Sequence, residues 1–252
     1  MMVFTDPPYG VAIGDKNKML NAKAHGGRGK SIEENIAGDD YSAPALYDLL
    51  VKCFSNLKDA CDESCSYYVS VPQAGEVGFV MMQMMRDAGL PVRHALVWVK
   101  NAATFSMGRL DYDYRHEGVF YTWGKSHEFY GGYGNTVIDD TTPIDKLTKA
   151  ELKDLVRALR DESETSVVYC DKPLKNDLHP TMKPVKLVSR FMLNSSREGD
   201  VVADIFGGSG STLMAAEQLG RKCRMMELDP HYCDVIIKRW EDFTGKKAEK
   251  VS

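Results

Sequence analysis

No run of 18 apolar residues occurs anywhere in this chain, and Met1 to Thr5 does not have the build of a signal peptide. A membrane span and a secretory leader are therefore both excluded as readings, and a cytoplasmic protein is expected. An excess of positive charge is missing too. The 32 Lys and Arg stand against 36 Asp and Glu, for a formal net charge of −4, which argues against a protein that coats nucleic acid with its whole surface. Cysteine is sparse: Cys53, Cys61, Cys65, Cys170, Cys223 and Cys233 are scattered, mostly within apolar patterns. Cys61 and Cys65 can share a helical face, but no second pair stands at zinc spacing, so reduced core thiols and no metal site are expected. A composition of 43% hydrophobic and 27% charged residues over 252 positions suits one large α/β domain, or one domain carrying an insertion, with a substantial core.

The acidic balance does not exclude a local basic groove. Lys16, Lys18, Lys23, Arg28 and Lys30 fall in one glycine-containing stretch with His25 and no acidic residue, a pattern suited to phosphate contacts and equally to a solvated loop. Beyond it, Leu46, Leu49, Leu50, Cys53, Phe54 and Leu57 recur at helical spacing behind Ser42 as N-cap, with Pro44 in the first turn. Tyr67 to Val71 reads as a strand. Val77, Val80, Met81, Met84, Met85 and Ala88 form a second helical face that ends at Gly89, its methionines read as core filler. Strands are expected at Arg93 to Lys100, Val119 to Trp123, Ser166 to Cys170, Val201 to Asp204 and Lys222 to Met226, and an amphipathic helix at Lys149 to Arg160. This alternation predicts a mostly parallel sheet with helices on both faces. Two stretches, Asn101 to Gly118 and Gly124 to Thr142, lack apolar periodicity and interleave cations with aromatics, among them Arg109, Tyr112, Tyr114, Arg115, Phe129, Tyr130 and Tyr133. Such a surface can stack bases and bind phosphates, or its tyrosines can pack a small subdomain.

Two short motifs carry the chemistry. Asp6-Pro7-Pro8-Tyr9 follows the apolar run Met1 to Phe4, and so lies at the carboxyl end of a strand, where open α/β sheets place their ligands. Two prolines fix φ and remove two donors, leaving rigid carbonyls. A carboxylate beside a stiff carbonyl can accept both hydrogens of an exocyclic amino group, and Tyr9 offers a flat face to an unstacked base. The plainer reading is a tight turn with an N-cap Asp and a core Tyr. Far along the chain, Asp204 ends a strand and the turn Phe206-Gly207-Gly208-Ser209-Gly210 opens a helix. Glycines there permit close approach of a ligand to the backbone and to the helix N-terminus. Glu227 ends the next strand 23 residues later, where a carboxylate in such folds holds a ribose diol, with Asp229 a weaker candidate. The third glycine of the dinucleotide fingerprint would fall at Leu213, so an oxidoreductase that binds NAD is disfavoured.

Together with His179-Pro180-Thr181-Met182-Lys183-Pro184, which leads into a helix with Pro184 in its first turn, and with Glu227-Leu228-Asp229-Pro230, these motifs resemble those of the amino-group DNA methyltransferases. The tetrapeptide stands first and the glycine loop last, which matches the circularly permuted β class, and the resemblance covers nearly the whole chain. It implies a Rossmann-like class I methyltransferase domain over residues 1–252, with a seven-stranded sheet and a target-recognition insertion at about 101–178. It implies S-adenosylmethionine as cofactor and DNA as partner, with methyl transfer to N6 of a flipped adenine. Asp6, Pro7, Pro8 and Tyr9 become the catalytic residues. Asp204, Phe206, Gly208, Ser209, Gly210, Glu227, Asp229, His179, Thr181 and Lys183 become the cofactor site, with Asp204 facing the ammonium group and Lys183 the carboxylate. Lys16, Lys18, Lys23, Arg28, Lys30, Arg109 and Arg115 become DNA contacts. Family members usually carry another strand before the tetrapeptide, so the chain reads as a fragment or a compact member whose first strand is a doubtful edge. Dimers are common in the class, which makes a homodimer an assembly to test, together with membership of a larger chain or of a restriction-modification system.

N4 of cytosine remains the alternative acceptor, since its exocyclic amine has similar geometry. Methylation of a protein glutamine fits less well, because those enzymes typically have Asn at the first motif position and the cofactor loop ahead of it. A catalytically silent DNA-binding or assembly module is the alternative of another class.

Overall fold

The computed structural model describes residues 1–10, 41–72, 75–101, 114–131, 167–170 and 182–251. Its strands are β1 (Met2–Thr5), β2 (Ser66–Val71), β3 (His94–Val99), β4 (His116–Trp123), β5 (Val167–Tyr169), β6 (Val201–Asp204) and β7 (Lys222–Met225). Its helices are α1 (Ala43–Ala60), α2 (Gly75–Asp87), α3 (Val185–Ser195), α4 (Ser211–Gln218) and α5 (Pro230–Thr244). The strands form one seven-stranded sheet in the order β5-β3-β4-β2-β1-β6-β7.

Side chains alternate across the sheet, as the pleat requires. Val3, Tyr67 and Val69 turn to one face, where Leu46, Leu50 and Phe54 of α1 and Met81, Met84 and Met85 of α2 complete a core. Met2, Phe4 and Tyr68 turn to the other face, against Leu187, Val188, Phe191 and Met192 of α3 and Ala215 and Ala216 of α4. β1 and β2 are buried along their whole length; β1 reads accordingly as an apolar run, while β2 also buries Ser66 and Ser70. At roughly 1.5–3 kcal/mol for each large side chain taken out of water, these two layers carry most of the driving force. The methionine stripe is core, with Met81, Met84 and Met85 fully buried. Gly89 ends its helix at φ 75°, a left-handed position that glycine occupies without strain.

The sheet is mostly parallel, as the alternation of elements predicts. Among the described strands, β4 alone runs against both of its neighbours. Four expectations need correction. β1 is not an edge, because it pairs with β2 on one side and β6 on the other; a short strand can be central when both neighbours bury it. β4 begins at His116, three residues before the expected start, because pairing with β3 continues past the apolar run. Pro184 is the N-cap of α3 rather than a residue of its first turn. The span 101–178 is not one insertion, since β4 and β5 within it belong to the main sheet. The helix expected at Lys149 to Arg160 lies outside the described residues.

All six cysteines are free thiols. Among the described residues no cluster of metal-ligating side chains occurs and no helix is long and apolar enough to cross a membrane.

The topology also fixes where a ligand belongs. From β1 the chain crosses through α1 to β2 on one side, and from β6 it crosses through α4 to β7 on the other. β1 and β6 are adjacent and parallel, so their carboxyl ends flank the crevice where the strand order reverses. Ligands of open α/β sheets bind at such a switch point.

Candidate active site

Asp6 is the first residue beyond β1 and stands at this crevice. Its side chain keeps 24% exposure and both of its oxygens are engaged. The Tyr9 hydroxyl donates to Oδ1 at 2.9 Å, and the Lys183 ammonium donates to Oδ2 at 2.5 Å. The Tyr9 ring packs at the margin of the α1–α2 core, with Lys183 Nζ 5.9 Å from its centroid. Tyr9 therefore orients the carboxylate through its hydroxyl, an interaction that the base-stacking expectation did not include.

Lys183 was expected to meet a cofactor carboxylate; the structure gives it other partners. Its side chain is 8% exposed and lies 3.4 Å from Glu117 Oε2 as well as against Asp6. Glu117 Oε1 accepts in turn from Lys100 Nζ at 2.7 Å, and that lysine side chain is 2% exposed. Asp6, Lys183, Glu117 and Lys100 thus form a chain of alternating charge that sums to zero. Burial alone would pull the Lys183 ammonium below the usual lysine range, but the charges of Asp6 and Glu117 override it and the net direction is upward. A buried charge is tolerated where it is paired in this way.

Asp204, at the end of β6, is 4% exposed. Its Oδ1 accepts from the Thr5 hydroxyl at 2.8 Å and from the Phe206 N–H at 3.1 Å, and its Oδ2 from the Thr212 hydroxyl at 2.6 Å. It therefore clamps β1, β6 and the first turn of α4 together, so internal bonds take up much of the acceptor capacity that was assigned to a cofactor ammonium. Burial pushes its carboxyl up to about 7, against the lowering effect of its three donors.

The loop that follows is built for close approach. A Cβ on Gly207 would lie 2.8 Å from Met225 Sδ and 3.1 Å from the Met226 carbonyl oxygen. Gly210 caps α4 in the left-handed region at φ 79°, with Ile236 of α5 3.1 Å from where its Cβ would stand. Ser209 is buried and its carbonyl accepts from Arg239; its hydroxyl lies 3.5 Å from that of Ser211. Glu227 is half-buried and bridges the two halves of the cradle. Its Oε2 accepts from the Gly208 N–H at 2.6 Å, and its Oε1 from the Asp229 N–H at 2.9 Å. Both oxygens retain acceptor capacity for a diol. Asp229 is the N-cap of α5, accepting from the His231 N–H at 2.9 Å, which accounts for it without a ligand. The cradle fits a phosphate-free nucleoside ligand: glycines where side chains would clash, a partly open carboxylate at the strand end, and a helix N-terminus without a side-chain cap.

The two halves are joined directly, since the Ser211 hydroxyl donates to the Lys183 carbonyl at 2.7 Å. Arg115 donates through Nε to the Lys100 carbonyl at 3.0 Å and is otherwise exposed. His179, Thr181, Lys16, Lys18, Lys23, Arg28, Lys30 and Arg109 lie outside the described residues. Thr5, Thr212, Lys100 and the partnership of Glu117 with Lys183 were missed from the sequence. In the sequence His116-Glu117 is visible as a dyad, to which methyl transfer to an amine gives no catalytic role because it needs no nucleophilic residue; only the reversed direction of β4 carries Glu117 to the same end of the sheet as Asp6.

A family model described as DNA methylase matches residues 1–239. Among characterised proteins, the type II methyltransferase M2.DpnII of Streptococcus pneumoniae is 34% identical over 93 residues, which are 35% of this chain and 35% of that protein. This match spans about a third of that relative's length. M2.MboI of Moraxella bovis, also a type II methyltransferase, is 22% identical over 246 residues, covering 96% of this chain and 81% of that one. Two solved structures share the fold. The M1.HpyAVI–SAM complex has a TM-score of 0.58 at 16% identity, covering 95% of this chain and 87% of its own. The PvuII DNA methyltransferase, described as cytosine-N4-specific, has a TM-score of 0.63 at 15% identity, covering 95% and 78%.

Proposed function

Because the chain belongs to the DNA methylase family whose model spans residues 1–239, we propose that it uses S-adenosylmethionine to methylate the exocyclic N6 amino group of adenine in DNA. The observation that carries this reading is Asp6, a partly exposed carboxylate at the carboxyl end of central β1, facing the crevice shared with the glycine cradle of β6. An amino nitrogen of a base is a poor nucleophile while its lone pair is delocalised into the ring. Asp6 and the Pro7 carbonyl accept its two hydrogens, hold it out of conjugation, and Asp6 takes the proton that the amine gives up. Tyr9 holds the Asp6 carboxylate in the receiving orientation. The Phe206–Gly210 turn and Glu227 hold the cofactor, Glu227 through its ribose hydroxyls. When bound, S-adenosylmethionine supplies a methyl group on a positively charged sulfur. Positioning dominates such chemistry and can be worth about 7–11 kcal/mol of barrier.

N4 of cytosine is the second reading, since its amine presents the same two hydrogens and one protein of the same fold is described as cytosine-N4-specific. The type II relatives make a companion restriction enzyme the natural context. The test is nucleoside mass spectrometry of unmodified DNA after incubation with isotope-labelled S-adenosylmethionine, with Asp6→Ala as control. Labelled N6-methyladenine that disappears in the control is the expected result. Labelled N4-methylcytosine would overturn the choice of base, and full activity of Asp6→Ala would overturn the catalytic assignment.

A further inference from the structure

The ion-pair chain that starts at Asp6 contains three groups that the proposed reaction does not itself use, Lys183, Glu117 and Lys100. Lys183 places a cation against Asp6 Oδ2 at 2.5 Å. Standing alone, that cation would oppose the positive sulfur of the methyl donor, which must come within a few ångströms of the amine held on Asp6. Glu117 Oε2 lies 3.4 Å from the same ammonium, and Glu117 is itself tied to buried Lys100 at 2.7 Å. β4 is the one described strand that runs backwards, and its register sets Gly118 opposite both Val71 of β2 and Val97 of β3. This puts Glu117 at the catalytic end, within reach of a lysine that arrives from the head of α3.

We infer that Glu117 is a positioning residue for methyl transfer: it anchors Lys183, which fixes the Asp6 carboxylate, and it cancels the Lys183 charge beside the place where a sulfonium must sit. The inference rests on the proposed methyl transfer and deepens it. Asp6 needs lone pairs free on the amine side, and an ammonium bound on Oδ2 keeps the carboxylate from rotating away. Without Glu117 the three remaining groups carry a net positive charge. A cationic cofactor then binds less well, whereas its demethylated product, which has a neutral sulfur, is nearly indifferent.

The experiment compares wild type, Glu117→Gln and Lys183→Met by calorimetry with S-adenosylmethionine and with S-adenosylhomocysteine, and by steady-state methylation of DNA. Glu117→Gln is expected to lower the affinity ratio of S-adenosylmethionine to S-adenosylhomocysteine by on the order of tenfold. The same change is expected to lower kcat at least about tenfold, with the KM for DNA shifting less than about threefold. Lys183→Met is expected to shift the affinity ratio the other way, since it removes a cation. A general loss of packing would move both variants in the same direction, so equal-signed shifts, or a Glu117→Gln enzyme with an unchanged ratio or unchanged kcat, would overturn the inference. If Lys183→Met fails to fold, Glu117→Gln alone decides. The calorimetric comparison needs no DNA. A wild type that binds cofactor but labels no DNA therefore sinks the functional reading, while the affinity ratios still judge the role of Glu117.

Discussion

Replacing Asp204 by Asn should change how the protein's stability depends on pH. The folded carboxyl titrates at about 7 because burial outweighs its three hydrogen-bond donors, whereas in an unfolded chain an aspartate titrates near 4. Between those values the folded state binds more protons than the unfolded state, so stability falls as pH rises. A raised carboxyl contributes stability that is fully present below about pH 4 and is lost as pH passes through about 7. At about 1.36 kcal/mol per pH unit the interval is worth roughly 4 kcal/mol. Asp204 is 4% exposed, so solvent screening does not shrink the figure much. Asn has no such titration, and the Thr5 and Thr212 hydroxyls can rotate to donate to its amide oxygen or accept from its nitrogen. Urea unfolding of both proteins, followed by far-ultraviolet circular dichroism from pH 4 to 8, gives the comparison. Subtracting one curve from the other removes the titrating groups that do not feel the Asp204 charge. The Asp204→Asn variant should gain on wild type by up to about 4 kcal/mol across the range. A flat difference, or one that favours wild type as pH rises, would refute the claim that burial dominates at this site.

Thr212→Val removes the donor to Asp204 Oδ2 and should cost about 1–3 kcal/mol, more at pH 8 than at pH 5, because the charged form loses more; equal costs at both pH values would count against it. Gly210→Ala forces an L side chain to φ 79° against Ile236, at roughly 1–2 kcal/mol for the backbone alone; a melting temperature equal to wild type would contradict the geometry. Glu227→Ala deletes the bridge from Gly208 to Asp229 and should weaken S-adenosylmethionine binding by more than about tenfold, whereas undiminished affinity by calorimetry would remove Glu227 from the cofactor site.

The order of the elements was legible in the chain because apolar periodicity and glycine placement are local signals. Leu46, Leu50, Phe54 and Leu57 turn inward for the same reason that they recur at helical spacing. Asp6 and the Phe206–Gly210 turn could be recognised because proline fixes the backbone and glycine frees it for turns and close approach wherever they occur. The boundaries were less legible. β4 gained His116 and Glu117 through pairing with β3, and a strand end set by its neighbour leaves no mark in its own residues.

The sequence by itself determined the alternating α/β plan, the two buried faces of the central strands, and the pairing of an Asp-Pro-Pro-Tyr turn with a glycine cradle that is followed by an acidic strand end. Those features follow from residue type at fixed local spacing. Only the tertiary structure decided that β1 is central rather than an edge and that β4 is reversed. It also decided that Lys183 answers Asp6 and Glu117, and that Asp204 is spent on Thr5, Thr212 and the Phe206 N–H. The physical reason is sequence distance. Asp6 and Lys183 are 177 residues apart, and Thr5 and Asp204 are 199 apart. A charge or a hydroxyl carries no local sign of its partner until the sheet order brings the two together.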